Sequence, residues 1–217
     1  MKVIMISIQP QWVEKILNGE KTIEIRKTKP NCELPCKVYI YCTKRQELWG
    51  DSTGNTWYGI AEDEDMEIVF ELTPTLARLN GKVIAEFTLN KIDKFDSAYS
   101  EWAYSVAPEY SEMPISETRF IQMAEQKGKL DCNDLLKYFG DEDYIAYMWH
   151  IDNLKIYDKP KELSEFRKRN KCHYADYDEG CCFECCTFYD LGDCDGRCSK
   201  LERPPQSWCY VEELENE

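Results

Sequence analysis

The chain has 217 residues, 43% of them hydrophobic, with 14 Tyr and 6 Trp, a composition that excludes a disordered protein and allows a sizeable core. No apolar run approaches the roughly 18–20 residues of a membrane-spanning helix, and the N-terminus lacks the order of a signal peptide, so a cytoplasmic location is expected. The net charge of −14 is uneven, because residues 1–48 hold nine Lys/Arg against five Asp/Glu (+4) and the remainder sums to −18. A uniformly acidic surface would repel nucleic acid, whereas a local basic face is compatible with binding it.

The N-terminal part of the chain predicts a strand, a short helix and a second strand. Residues 2–8 are rich in β-forming residues, and Pro10 suits the first turn of a helix that Gly19 would end. Apolar residues recur at helical spacing between them, at Trp12, Val13, Ile16 and Leu17.

The second strand of this unit, residues 22–26, alternates apolar and charged side chains. In an extended chain Ile23 and Ile25 face the core, while Glu24 and Arg26 share the opposite face. Lys21 stands at the start of the strand and must reach in from there. The pattern therefore predicts three charged groups around one position.

Downstream, the sequence predicts helices inserted between further strands, about six strands in all. The strands are expected at 37–43, 81–92, 144–157 and at the end of the chain to Val211, with a possible hairpin at 57–60 and 67–72. Ser116 and Asp131 are suited to cap helices over 116–127 and 131–138, and a short helix is expected at 160–169. Such an array fits a small closed or half-closed β-barrel.

A family resemblance rests on SIQPQWVEKILNGEKTIEIRKTKP followed by KVYIYCTK. These stretches resemble the ASCH domains of the PUA-like superfamily, and look most like the small ASCH proteins of phages and low-GC Gram-positive bacteria. GEKTIEIR fits the family pattern G-x-K-x-x-E-x-R at Gly19, Lys21, Glu24 and Arg26. The resemblance implies one α+β, mainly β domain over 1–217, a PUA-like β-barrel with peripheral helices and with insertions at about 44–80, 95–140 and 170–200.

The resemblance further implies that RNA, a nucleotide or a modified nucleobase binds in a cleft around the GEKTIEIR strand. Lys21 offers a point charge and Arg26 a planar bidentate donor, both suited to a phosphate or a base carbonyl, while Glu24 could accept from an exocyclic amine. The predicted ligand-binding residues are Ser7, Gln9, Lys21, Glu24, Arg26 and Trp208. Alternatively, Glu24 and Arg26 form only a surface ion pair, and Trp149 and Trp208 belong to the core rather than stacking on a base.

A second reading is an enzyme acting on a modified nucleoside. Some small ASCH enzymes are amidohydrolases that deacetylate acetylcytidine with a Lys, a Thr and a Glu. Lys21 matches the Lys, Glu24 stands where those enzymes have their Thr nucleophile, Thr22 lies two residues away, and Glu86 is a conceivable match to the Glu. The catalytic candidates under this reading are Lys21, Glu24 and Glu86. A lone His150 in an apolar strand is either a core residue or a hydrogen-bond donor at the cleft.

A third reading is a phage-encoded protein that binds a basic host protein. It rests on the −18 charge of residues 49–217, since such a surface can mimic nucleic acid.

Seven of the twelve cysteines lie between Cys172 and Cys198, and without a secretion signal this density favours metal binding over a disulfide framework. The simplest site is a CxxC–x8–CxxxC arrangement holding a structural zinc ion. Its ligands would be Cys182, Cys185, Cys194 and Cys198, with Cys172, Cys181, Cys186 and His173 as alternates. Reduced thiols, disulfides formed on purification and an iron–sulfur cluster are the other readings.

Overall fold

The computed structural model describes the chain except for two long stretches and several short ones. The described residues are 2–44, 48–50, 57–63, 66–72, 79–98, 114–140, 142–168 and 200–214. The predicted cysteine-rich insertion, including every proposed zinc ligand, lies outside them.

Eleven strands in the described residues form three sheets. The first sheet has the order β10-β7-β3-β1-β11, the second β2-β9-β8 and the third β4-β5-β6. The strands are β1 (Val3–Ile8), β2 (Ile23–Arg26), β3 (Cys36–Cys42), β4 (Leu48–Gly50), β5 (Trp57–Asp63), β6 (Met66–Leu72), β7 (Val83–Leu89), β8 (Ile92–Asp96), β9 (Ile145–His150), β10 (Asp152–Lys161) and β11 (Trp208–Val211).

Helices lie between the strands. They are α1 (Pro10–Leu17), α2 (Glu117–Met123), a π-helical turn (Ala124–Gly128), α3 (Cys132–Phe139) and a 3-10 turn (Leu163–Glu165). The backbone N–H groups at the starts of α2 and α3 are capped as predicted, by the side chains of Ser116 and Asp131. Among the described residues, no helix is long and apolar enough to cross a membrane.

The β1-α1-β2 unit confirms the predicted order of the N-terminal elements. Val13 and Ile16 of α1 are buried against the first sheet, and Gly19, at φ +79°, ends the turn after the helix in a conformation that residues with a Cβ rarely adopt. Ile23 and Ile25 pack into a separate apolar cluster with α2 and α3. Their alternation places Glu24 and Arg26 on the other face of β2, as the sequence pattern predicts.

Two segments of the chain, β7–β8 and β9–β10, each run from one sheet into the other. The strand predicted at 81–92 is interrupted at Asn90 and Lys91, so that β7 belongs to the first sheet and β8 to the second. The segment that pairs with it does the same at Ile151, because β9 belongs to the second sheet and β10 to the first. The backbone N–H of His150 donates to the Lys91 carbonyl at this corner, 3.1 Å away.

The described strands do not close into the predicted barrel. No backbone pairing within these residues joins β2, an edge of the second sheet, to the first sheet. A side chain spans the gap instead, because Arg26 Nη2 donates to the carbonyl of Ser7 at the end of β1, 2.6 Å away. The architecture is therefore mainly β with peripheral helices, and the gap between the sheets opens into a cleft.

The sequence pattern predicts fewer strands than the structure contains. β8 begins at the last residue of the strand predicted over 81–92 and continues beyond it to Asp96. The expected helix over 160–169 is wrong at its start, because β10 continues to Lys161 before a 3-10 turn. The predicted hairpin is confirmed as β5 and β6, and β4 adds a third strand to it.

Candidate functional site

Three charged side chains, two from β2 and one from just before it, form a buried triad. Glu24 lies in the middle, with its Oε2 3.4 Å from Lys21 Nζ and its Oε1 3.0 Å from Arg26 Nε. The three side chains are only 1%, 10% and 9% exposed for Lys21, Glu24 and Arg26. The ion pair anticipated between Glu24 and Arg26 exists, but it is not on the surface, so it is held in a low-dielectric environment.

Lys21 is held by groups from three directions. Its ammonium donates to the Gly128 carbonyl at 2.5 Å, contacts Glu24, and lies 5.3 Å from the centre of the Trp12 ring. Gly128 approaches β2 closely, since a Cβ at that position would lie 3.3 Å from Ile25 Cδ1. Burial lowers the pKa of Lys21, and the neighbouring Glu24 carboxylate opposes this shift.

Arg26 links the two sheets. Its Nη2 donates to the Ser7 carbonyl at 2.6 Å and its Nη1 to Ser207 Oγ at 3.3 Å, so the guanidinium contacts both β1 and the turn before β11. Its Nε lies at ion-pair distance from Glu24, but the N–H is not aligned for a hydrogen bond to that carboxylate and has no hydrogen-bond partner among the described residues. Arg26 is thus both part of the candidate site and a structural bridge.

A cleft of about 720 Å³ lies above the triad. β2 forms its floor, while α1 and α3 contribute side chains to its walls. Among the described residues, its charged lining comprises four cationic and two anionic side chains, a local excess of two positive charges on a chain of net charge −14. These side chains are Lys21, Arg26, Lys44, Lys137, Glu24 and Asp134.

Aromatic rings from two helices line the cleft. Trp12 comes from α1, and Tyr138, which is 38% exposed, comes from α3. Burial raises the pKa of Tyr138, and the charge of the Arg26 guanidinium opposes this shift. Lys27 Nζ lies 5.1 Å from the centre of the Tyr138 ring. The cleft therefore combines aromatic surface, cationic groups and one buried carboxylate.

Five of the six residues predicted to bind a ligand line this cleft: Ser7, Gln9, Lys21, Glu24 and Arg26. The sixth does not. Trp208 donates from its indole N–H to Thr28 Oγ1 at 2.9 Å and packs against Trp149, with 5.8 Å between the ring centres. Trp149 is fully buried, so the alternative reading of it as a core residue is correct.

Glu86, proposed as a catalytic residue, is not among the residues that line the cleft. Glu86 pairs with Tyr39 across the first sheet and accepts a hydrogen bond from the Tyr157 hydroxyl at 2.6 Å. Thr22 is exposed and likewise absent from the lining. His150 bonds Asp93 at 2.7 Å in the second sheet and is partly buried, so it is a residue with a satisfied hydrogen bond and does not line the cleft.

The sequence pattern does not reveal the wall residues, chiefly Trp12, Asp134, Lys137, Tyr138 and Ser207. It places Trp12 in the apolar stripe of α1, whereas this side chain is only partly buried and lies beneath the Lys21 ammonium. No local signal marks the others, because they reach the cleft only through the packing of α3 and the pairing of β11 with β1.

No metal site accompanies the cleft in the described part of the chain. There, no three His, Cys, Asp or Glu side chains come together in a way that could hold an ion. The zinc prediction concerns cysteines outside these residues and stays a prediction.

Three comparisons with known proteins bear on the family. No family model matches the chain, and no curated protein matches it. Among solved structures it is similar to the ASCH protein of Zymomonas mobilis, at 16% identity and a TM-score of 0.40, over 75% of this chain and 74% of that one. Two point variants of the same protein match at 16% and 17% identity, with TM-scores of 0.36 and 0.35, over 75% of this chain and 77% and 75% of theirs. A likeness of this degree carries no function over to this chain.

Proposed function

We propose that the chain is an ASCH-type protein that binds RNA, a nucleotide or a modified nucleobase in the cleft above Lys21, Glu24 and Arg26. The observation that carries the proposal is the buried triad at the floor of a cleft with an excess of positive charge. A buried arrangement of three charges is costly to build, and such arrangements concentrate at functional sites.

The chemistry of the lining fits a nucleotide. Lys44 and Lys137 are exposed and can meet phosphate oxygens, and the Trp12 and Tyr138 rings offer faces for a base. The carboxylate of Glu24 can accept a hydrogen bond from an exocyclic amine. Polar groups without charge surround these residues and can contact sugar or base edges: Ser7, Gln9, Gln11, Thr43, Gln206 and Ser207.

The test is the binding of a fluorescein-labelled single-stranded RNA of mixed sequence, measured by fluorescence polarisation over a range of salt concentrations. Lys44→Gln combined with Lys137→Gln should weaken binding. The slope of log Kobs against log[salt] should become shallower by about 0.7 for each phosphate that the variant no longer neutralises. Both residues are exposed, so the fold should survive the change.

Lys155→Gln combined with Lys159→Gln is the matched control, because it removes the same charge from exposed positions on β10, away from the cleft. This pair should leave both the affinity and the slope nearly unchanged. If both double variants weaken binding equally, the interaction is a general surface effect. Absence of binding by the unmodified protein at low salt would refute the proposal for RNA. Calorimetry with ribonucleoside monophosphates would then test whether the cleft binds a nucleotide.

One observation favours the enzyme reading as a second candidate. Burial lowers the pKa of Lys21, and an amine with a lowered pKa is better suited to accept a proton from water or a hydroxyl. Incubation with acetylcytidine, followed by chromatography for cytidine, tests this reaction. Lys21→Met should abolish it, and failure of the unmodified, folded protein to release cytidine would exclude it.

The cysteine-rich stretch supports a separate proposal of a structural zinc ion. Its C-x-x-C and C-x-x-x-C pairs have the spacing that tetrahedral sites use. Elemental analysis of protein purified under reducing conditions should find about one zinc ion per chain. Cys182→Ser combined with Cys185→Ser should remove the ion, and metal-free unmodified protein would contradict the proposal.

A further inference from the structure

Cys32, in the loop between β2 and β3, and Cys36, the first residue of β3, lie side by side. Cys32 Sγ and Cys36 Sγ are 3.5 Å apart and share a hydrogen bond, and both are free thiols. A disulfide has an S–S distance of about 2.05 Å, so the sulfurs must approach by only about 1.5 Å. Rotation of the two side chains, with a small adjustment of the intervening loop, can supply this movement.

The surroundings hold Cys32 in place next to its partner. Asn31, the preceding residue, is fixed from both sides: its backbone N–H donates to the Tyr210 hydroxyl and its carbonyl accepts from Lys2 Nζ, each at 2.7 Å. Cys36 is the first residue of β3 and is 1% exposed. The pair therefore sits at the junction of an anchored loop and a rigid strand, rather than on a freely moving segment.

The two sulfurs differ in accessibility. Cys32 is partly exposed, and the three residues between the cysteines are all exposed. Burial and the hydrogen bond with Cys32 raise the pKa of Cys36 to about 12. A small oxidant from solution therefore meets Cys32 first, and Cys36 is placed to react with whatever forms there.

We propose that Cys32 and Cys36 form a reversible thiol–disulfide site that takes a low-molecular-weight disulfide such as glutathione disulfide as its oxidant. The Cys32 thiolate attacks one sulfur of the oxidant, forming a mixed disulfide and releasing one glutathione thiolate. The Cys36 sulfur then attacks Cys32 Sγ, and the second glutathione leaves and takes up the proton that Cys36 gives up. Two protein thiols are oxidised and one glutathione disulfide is reduced to two glutathione molecules.

The experiment uses the folded, full-length chain. After incubation with glutathione disulfide, an acid quench, alkylation with N-ethylmaleimide and digestion with trypsin, residues 28–37 form one peptide, because the Lys29–Pro30 bond resists trypsin. That peptide contains Cys32 and Cys36 and no other cysteine. It should lose both maleimide labels and become lighter by two hydrogen atoms, and dithiothreitol before alkylation should restore both labels.

Residues 130–137 provide an internal control in the same digest, since this peptide carries only the exposed Cys132. It should gain glutathione, which shows that the oxidant was active. Cys36→Ser should trap glutathione on Cys32, whereas Cys32→Ser, at the less buried position, should leave Cys36 unmodified; circular dichroism checks that both variants fold. The proposal is overturned if the unmodified 28–37 peptide keeps two maleimide labels, or carries glutathione without an internal disulfide, while Cys132 reacts.

Discussion

Glu24→Gln is the sharpest test of the triad, because it removes one charge and keeps the shape of the side chain. The carboxylate lies 3.4 Å from Lys21 Nζ and 3.0 Å from Arg26 Nε. At an effective dielectric constant of about 20, each pair represents about 5 kcal/mol of gross Coulomb energy, part of which offsets the cost of burying the charges. Removing the anion leaves two buried cations without it, so we expect the free energy of unfolding to fall by about 3–5 kcal/mol.

Urea denaturation followed by tryptophan fluorescence and circular dichroism, under reducing conditions, measures this loss. Glu33→Gln makes the same chemical change at an exposed position of the following loop and should cost less than about 0.5 kcal/mol. A decrease below about 1 kcal/mol for Glu24→Gln would refute the reasoning, since it would mean that water or rearrangement screens the triad as it does a surface pair.

Three further predictions concern protonation and capping. Burial lowers the pKa of Lys21 below its value in the unfolded state, so the unfolded state binds more protons at a pH between the two values. The stability of the unmodified protein relative to Lys21→Met should therefore rise with pH in that window. Urea titrations at several pH values measure this. The hydrogen bond from His150, with a smaller contribution from Lys91, lowers the pKa of Asp93 from 3.8 to about 2. Relative to Asp93→Asn, the unmodified protein should therefore be more stable by on the order of 2 kcal/mol above about pH 4, and this difference should fade as the pH falls towards 2. Asp131→Ala removes the capping side chain of α3 and should lower the unfolding free energy by about 1 kcal/mol, seen as a lower Tm.

Local patterns predict the parts of the molecule that local physics determines. The alternation in residues 22–26 correctly assigns Ile23 and Ile25 to an apolar cluster that does not include Glu24 or Arg26, because side chains alternate in any extended strand. The helix caps at Ser116 and Asp131 can also be predicted from the sequence, since a capping side chain bonds a backbone N–H only two or three residues away.

The features that the sequence does not reveal depend on contacts between distant parts of the chain. Ser207 meets Arg26 across 181 positions, and only the register of β11 on β1 brings it there. The change of sheet between β7 and β8 is likewise not predicted, because only Asn90 and Lys91 separate the two strands, and their partners (β3 and β10 for β7, β9 for β8) come from distant parts of the chain. The predicted barrel does not close in the described residues for a related reason: the sequence shows that Arg26 is charged, but not that its guanidinium takes the place of a strand pairing at Ser7.

The contacts of the triad also determine how its contribution to stability can be separated from its contribution to ligand binding. Lys21 is engaged by Glu24 and the Gly128 carbonyl, and Arg26 by Glu24, Ser7 and Ser207, so the floor of the cleft is already held by the protein itself. A phosphate cannot take either cation without displacing one of these buried contacts, whereas Lys44 and Lys137 in the walls are exposed to solvent. Floor substitutions should therefore act mainly on stability, and wall substitutions mainly on affinity. If Lys44→Gln with Lys137→Gln left RNA binding intact while Arg26→Lys abolished it at unchanged stability, the ligand would be shown to displace part of the triad, and the floor would be the recognition element itself.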